Sequence, residues 1–303
     1  MSSAPVSVWW RATRAFSLTA VLAPFVAIAL FGWSLHASWH VAAALCAALG
    51  VSALLFGVNM ANDVEDDARG IDTKGSLGGS GVLQAGLLTK AQVRAAAYTL
   101  MAAGVALGIP TVRAAPREML AVGALTLFGA AMYSNRFFGL KYHALGDAAV
   151  FALCGPMLAY GASVAGFARV LPGAIALGSV FGFAAVAILH VNNLQDIVSD
   201  RRAGAFTVAN VIGERASRAY LVLLYLGAAL SWAILHLPLA AMLIGFVGFI
   251  PAARLIVRVG RAPHLRAPAF SLVRVEAAQA HLAIGASVCL ALLFVTVTGG
   301  GTP

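Results

Sequence analysis

The sequence predicts an all-α integral membrane protein of nine transmembrane helices with a cytoplasmic N-terminus. Composition is the first reason. Of 303 residues, 61% are hydrophobic and only 10% charged, with a mean hydropathy of +0.90, whereas a soluble domain carries roughly 25% charged residues. The second is length, because apolar runs recur at the roughly 17–25 residues that cross a bilayer. The third is the placement of Lys and Arg, which fall almost entirely on alternate connections, as the positive-inside rule requires.

The first run, 15–35, follows Arg11 and Arg14. It is longer than the roughly 7–15 residues of a signal-peptide core, so it is expected to stay as a helix. The second, 39–61, ends in an acidic segment; the third and fourth, 91–110 and 118–135, are joined by a short link carrying Arg113 and Arg117. The fifth, 142–166, follows Lys141, and the sixth, 171–195, ends in a second Asn/Asp segment. The seventh, eighth and ninth are 217–236, 237–257 and 277–298. The chain reads as one transmembrane domain, 1–303, with 1–13 as a cytoplasmic tail and 62–90 and 196–216 as cytoplasmic loops.

With that alternation 17 of the 20 Lys and Arg residues lie on the cytoplasmic side, and only Arg113, Arg117 and Arg169 lie outside. A missed span would scramble the distribution. The formal charge of +9 therefore reads as topology and attraction to membrane lipid, and no nucleic-acid partner is expected. Cys46, Cys154 and Cys289 sit within spans without metal-ligand spacing and read as small hydrophobes.

Function is expected on the cytoplasmic face, where the long polar connections lie. Residues 62–72 (Asn-Asp-Val-Glu-Asp-Asp-Ala-Arg-Gly-Ile-Asp) and 192–200 (Asn-Asn-Leu-Gln-Asp-Ile-Val-Ser-Asp) together hold seven of the eleven carboxylates. In the first, Asn62 and Asp66 are i,i+4 on one helical face, and Gly70 permits a break that returns Asp72 toward it. In the second, Asn192, Asp196 and Asp200 repeat every four residues, with Asn193 beside them. Two facing helix ends of this kind make a cup of hard oxygen donors suited to Mg2+, which binds one or two carboxylates and fills its other positions with water and phosphate. Solvated acidic helix ends would explain one such cluster, but two on one membrane face are harder to account for that way. A cation or lipid transporter is the alternative, although its carboxylates belong near the midplane and no acidic residue lies well inside any span. After the first segment, Lys74–Gly81 is a Gly/Ser loop whose backbone N–H groups, near Ser80, can cradle an anion.

Asn62-x3-Asp66-x5-Asp72 and Asn193-x2-Asp196-x3-Asp200 on a nine-span chain resemble the two Asp-rich motifs of the UbiA superfamily of intramembrane prenyltransferases, closest to its menaquinone-type, 1,4-dihydroxy-2-naphthoate polyprenyltransferase branch. Arg14-Ala15-Phe16-Ser17, Tyr133-Ser134, Leu140-Lys141-Tyr142-x2-Leu145-Gly146-Asp147, Phe151-x3-Gly155-Pro156 and Asp200-Arg201-x2-Gly204-x2-Thr207 add to the likeness, which covers roughly 14–215. The resemblance implies a helical ring around a central cavity and Mg2+-dependent transfer of a polyprenyl group from its diphosphate to an aromatic acceptor. It makes Asp66, Asp72, Asp196 and Asp200, with Asn62 and Asn193, the metal site, and Lys141, Lys74 and Arg201 the phosphate cations. The same ionisation without an acceptor would give a terpene cyclase. The chain departs from the family pattern at Gln195, where many relatives have Arg, and at Gly78–Gly81, where many have basic residues.

Individual residues carry two readings each. Asp147 starts the fifth span and is a candidate to orient Lys141 or bind acceptor, or simply an acidic residue at a helix N-terminus. His190 is a candidate acceptor contact or base, or an interhelical hydrogen bonder. Tyr133 and Tyr142 can face a carbocation or anchor helix ends at the interface. Arg14, Ser17 and Ser80 complete the set expected to bind substrate.

Overall fold

The computed structural model describes residues 4–72, 79–113, 115–135, 137–262 and 272–299. Among them there is no strand, only one isolated bridge between His143 and Phe206. The elements in chain order are α1 (Val6–Ala12), a 3-10 turn Ala15–Leu18, α2 (Thr19–Ser34), α3 (Val41–Ala68), α4 (Lys90–Val112), α5 (Pro116–Tyr133), a 3-10 turn Leu140–Tyr142, α6 (Gly146–Cys154) and α7 (Pro156–Phe167). There follow α8 (Ala174–Gln195), α9 (Ile197–Arg202), α10 (Val208–Ala233), α11 (Leu239–Val247), α12 (Ile250–Arg261) and α13 (Val273–Thr298).

Among the described residues seven helices, or helices continuous across a short break, are long and apolar enough to cross a membrane, and an eighth results if α11 and α12 count as one span. The eighth expected span is thus two helices, bent by 41°. Gly248 allows the bend by letting the chain pass against α13, since a Cβ there would lie 2.0 Å from Ser287 Oγ and 2.6 Å from the Ala283 carbonyl. The expected fourth span coincides with α5, which opens with Pro116, Arg117 and Glu118 and so falls short of the apolar length of the others.

α8 is the hub. It packs against α2, α6, α7, α10 and α13, and Leu177, Val180, Phe181, Ala184, Ala187, Val191 and Leu194 are fully buried along it. The α6–α7 break lies against it at Gly155–Pro156, where proline lacks the N–H that would continue the ladder. A Cβ on Gly178 would approach the Gly155 carbonyl oxygen to 2.7 Å and Ala159 Cβ to 2.5 Å. Gly178→Val is therefore expected to overpack this crossing by about 1–3 kcal/mol and to lower the unfolding temperature in detergent. Gly108→Ala, whose added Cβ meets nothing within 4 Å, leaves it unchanged.

The fold brings to one face the start of α2, the C-terminal end of α3, the ends of α5 and α8, and the starts of α6, α10 and α13. That convergence places the two Asp motifs opposite each other.

Candidate active site

The last two turns of α3 bury Asn62, Asp63 and Asp66, and Gly70, at φ +72°, terminates the helix in the left-handed conformation. Ile71 N donates to the Asp66 carbonyl at 2.9 Å and Asp72 N to the same oxygen at 3.4 Å. The turn thereby folds Asp72 back beside Asp66, as the spacing predicts, and buries it. The second motif repeats the device. Gly204 also has φ +72°, and Ala205 N donates to the Asp200 carbonyl at 2.9 Å.

The link between α5 and α6 joins the two motifs. Lys141 Nζ donates to Asn62 Oδ1 at 2.7 Å and to the Asp66 oxygens at 2.9 and 2.7 Å, and Tyr142 Oη donates to Asp66 Oδ1 at 2.8 Å. Burial, then the Asp66 charge, raises the pKa of the Tyr142 phenol, which fits its role as donor. Ser134 Oγ donates to Asn62 Oδ1 at 2.6 Å. On the other side Phe206 N donates to the Tyr142 carbonyl at 3.0 Å and Ala144 N to the Phe206 carbonyl at 2.6 Å. Lys141 is thus fixed to the first motif by its side chain, while its neighbours are fixed to the chain just beyond the second.

Asp66, Asp72, Asp196 and Asp200, with Asn62, Asn192 and Asn193, line one polar cavity of about 140 Å³. Burial, reinforced by Asp66, pushes the Asp72 carboxyl up to about 6, against the opposing pull of Arg14 and Lys141. Burial, reinforced by Asp196, pushes Asp200 up to about 7. Burial is the larger cause in both, with the neighbouring carboxylates adding to it, and buried Asn192 Oδ1 accepts no hydrogen bond among the described residues. Among those residues no three His, Cys, Asp or Glu side chains converge closely enough to hold an ion by themselves. This donor set fits Mg2+ held by one or two carboxylates per ion, with anionic oxygens completing the shell, and not an all-protein cage.

Deeper along the same helices lies an apolar chamber of about 350 Å³, lined by α3, α4, α5 and α7. Leu54 of α3 and Leu127 of α5 face it one to two turns from Asn59 and Tyr133, which face the polar cavity. Exposed Val105, Ile109, Leu120 and Leu127 border the chamber, so it opens toward lipid between α4 and α5.

Of the remaining sequence candidates, Arg14, Tyr133 and Asp147 also line the polar cavity. Arg14 is ion-paired with Asp63. Ser17 stands behind Asn59, accepting from Asn59 Nδ2 at 2.8 Å. Ser80 is buried and serves the first motif, its N–H donating to Asp63 Oδ2 at 3.1 Å and its carbonyl accepting from Arg11 Nε at 2.7 Å. His190 is fully buried one layer out, with Nδ1 3.6 Å from Asp147 Oδ2 and Nε2 3.1 Å from the Ser217 carbonyl. Arg201 does not line the cavity; its guanidinium reaches the Asn210 carbonyl at 3.3 Å on the exposed side. Lys74 lies outside the described residues.

Two participants escape a reading of the motifs alone. Asn59, one turn before Asn62, lines the cavity; its i,i+3 spacing was the available signal. Arg274, in the first turn of α13, is ion-paired with Asp196 and hydrogen-bonded to Gln195, and its Nη2 lies 3.5 Å from the Asn192 carbonyl. A cation thus stands beside Gln195, but it arrives from a helix 79 positions along the chain.

Residues 21–273 match the model of the UbiA prenyltransferase family. The chain is 32% identical over 210 residues to 1,4-dihydroxy-2-naphthoate octaprenyltransferase of Mycobacterium tuberculosis, covering 69% of this chain and 71% of that one. It is 29% identical over 262 residues to the Escherichia coli enzyme of the same name, covering 84% and 83%. A solved UbiA homologue from Archaeoglobus fulgidus bound to DMAPP and Mg2+ superposes with a TM-score of 0.62 at 15% identity, over 93% of this chain and 99% of that one. The fold is shared with that structure.

Proposed function

The chain belongs to the UbiA prenyltransferase family, and on that premise we propose that it transfers a polyprenyl group from an allylic diphosphate to 1,4-dihydroxy-2-naphthoate or a closely similar quinone precursor. The observation that carries this reading is the stacking of two cavities along the same helices, a carboxylate-lined one above an apolar one open to lipid. An amphiphile with a diphosphate head and an isoprenoid tail matches both. The naphthoate acceptor is taken from the names of the relatives.

Asp66, Asp72, Asp196 and Asp200, with Asn62 and Asn193, are the residues that would hold Mg2+, which when bound offsets the charge of the diphosphate and of the leaving group. Lys141 donates to Asp66 in the structure and is placed to share its protons with a phosphate oxygen as charge develops there. The C1–O bond of the prenyl diphosphate breaks with both electrons leaving on diphosphate. The acceptor ring carbon gives a π pair to the resulting allylic cation, forming the C–C bond. Loss of carboxyl as CO2, its bonding pair returning to the ring, then restores aromaticity. Tyr133, which lines the cavity, would face the cation, whereas the Arg69 guanidinium already lies over the Tyr142 ring, 4.1 Å from its centroid, and leaves Tyr142 as a hydrogen-bond donor. Asp147, backed by His190, would accept from an acceptor hydroxyl. The bundle is read as nine spans around this cavity, N-terminus in the cytoplasm, the site on the cytoplasmic side of the cell (inner) membrane; the 17 to 3 distribution of basic residues supports that orientation.

The test is product analysis. Protein in nanodiscs with Mg2+ and geranylgeranyl diphosphate is expected to give, with dihydroxynaphthoate, a product equal to acceptor plus prenyl minus CO2. A terpene hydrocarbon or alcohol formed equally well without acceptor would make it a cyclase. Substrate flux without pyrophosphate release would make it a transporter.

The acid shifts add a pH prediction. Asp72 and Asp200 hold protons in the folded, metal-free protein up to about pH 6 and 7, whereas in the unfolded chain carboxyls release them near pH 4. Their contribution to metal-free stability is therefore fully present below the unfolded value and is lost as pH rises through 4 to 7. Mg2+ needs the deprotonated groups, so its affinity is expected to rise about tenfold from pH 6 to pH 8, read as the midpoint of Mg2+-induced thermal stabilisation. A midpoint independent of pH would contradict it.

A further inference from the structure

On the outer face of α12, Ile250, Ala253, Arg254, Val257, Arg258 and Arg261 line an open groove of about 660 Å³ that is separate from both cavities of the active site. The opposite face, with Ala252, Leu255 and Val259, is buried in the bundle. Positions 250, 253, 254, 257, 258 and 261 follow the i, i+3, i+4, i+7 rule and form one stripe, about 16 Å long at 1.5 Å per residue. The stripe opens on apolar Ile250 and Ala253 and then carries Arg254, Arg258 and Arg261 on successive turns, with Val257 between the first two arginines.

Among the described residues Arg258 alone of the three has an ion pair, its Nε 2.9 Å from Glu276 Oε1 on α13. Arg254 and Arg261 are exposed and have no partner there. The following residues, 263–271, include His264 and Arg266 and no carboxylate, so the chain's next segment brings no counter-charge, and neither does a second copy of the same basic face. α12 lies just past the 41° bend, at the end of the bundle where the Asp motifs gather. A guanidinium beside lipid is stable there only with its head at the phosphate level, and a planar guanidinium grips phosphate oxygens in pairs.

We propose that this groove binds one anionic glycerophospholipid, its phosphate over Val257 between Arg254 and Arg261 and its acyl chain along Ala253 and Ile250. The stripe, apolar at its start and basic beyond, matches such a molecule in charge and polarity, and clustered basic residues at the cytoplasmic surface attract anionic headgroups. The site serves the enzyme's anchoring in the membrane and makes no use of the catalytic residues.

The experiment uses the full chain in neutral detergent, with native mass spectrometry and thermal unfolding. Phosphatidylglycerol is expected to leave one retained adduct and to raise Tm, with phosphatidylcholine of equal chain length doing neither. R254Q/R261Q is expected to weaken that adduct at least fivefold, with the lipid-free Tm and prenyl transfer unchanged. R254K/R261K, which keeps both charges and guards against misfolding of the neutral variant, retains most of the binding. Equal binding of the two lipids, or binding of phosphatidylglycerol undiminished in R254Q/R261Q, overturns the proposal. So does an equal Tm rise with inorganic phosphate alone, with geranyl diphosphate without Mg2+, or a dimer that dissociates in the double variant, since each assigns the groove to another occupant.

Discussion

Asp66→Asn and Asp196→Asn are each expected to slow diphosphate release at least 10³-fold, about 4 kcal/mol of barrier, and the double variant is expected to be little slower than either one. Asp66 leads the first motif and Asp196 the second, and both face one cavity. If one diphosphate is held between them, removing either side breaks the whole unit, and residues that act as a unit are strongly non-additive. Asparagine preserves size, and at position 66 it can still accept from Lys141 and Tyr142. Loss of rate without loss of Tm therefore reports on charge. Additive losses in the double variant would mean two independent sites.

Lys141→Met is the second large effect, expected at 10²–10³-fold in kcat, the scale of losing one preorganised donor to a developing anion. Among the described residues its ammonium is the one cation bonded to both Asn62 and Asp66, and it sits on a link held to the second motif's exit by Phe206. Removing it also leaves Asp66, buried and charged, with only Tyr142 as a described side-chain donor, so a fall in Tm is expected alongside. Lys141→Arg restores charge but not the compact fit of an ammonium among three oxygens, and is expected to recover only part of kcat. Steady-state kinetics at saturating Mg2+ separate the two: a KM change alone, with kcat preserved, would reduce Lys141 to a ground-state contact.

Arg274→Gln offers a smaller and more selective effect. Arg274 braces Asp196 but does not line the cavity, so it acts as a positioning residue. Mg2+ binding without substrate, read from the paramagnetic signal of Mn2+ as a stand-in, is expected to weaken about 10-fold, as for partners that orient ligating carboxylates. A lower Tm with unchanged Mn2+ binding would leave it a structural contact only.

Much of this was legible because it is local. Gly70 four residues after Asp66, and Gly204 four after Asp200, announce the left-handed turns that fold each motif back, and i,i+4 spacing places Asn62 with Asp66. Gly155-Pro156 breaks the expected span 142–166 into α6 and α7, a local signal that the apolar run alone passes over. What could not be read locally is what depends on distant packing. Arg274 meets Gln195 only because α13 packs on α8. His190 carries two readings, acceptor contact or interhelical hydrogen bonder, and only packing shows the second: Asp147 lines the cavity while His190 lies behind it with Nε2 on the Ser217 carbonyl. Ser80 reads as part of an anion loop, whereas its N–H is committed to Asp63. The bend between α11 and α12 depends on Gly248 meeting α13, a contact that no apolar run reveals.

The most direct test of the two-motif site is calorimetric binding of a non-ionising prenyl thiodiphosphate to wild type, Asp66→Asn and Asp196→Asn, each with Mg2+ and with EDTA. Binding to wild type only with Mg2+, and its loss in both variants, is the predicted result. Undiminished binding in EDTA, or in either variant, would contradict a diphosphate held by metal between the two motifs.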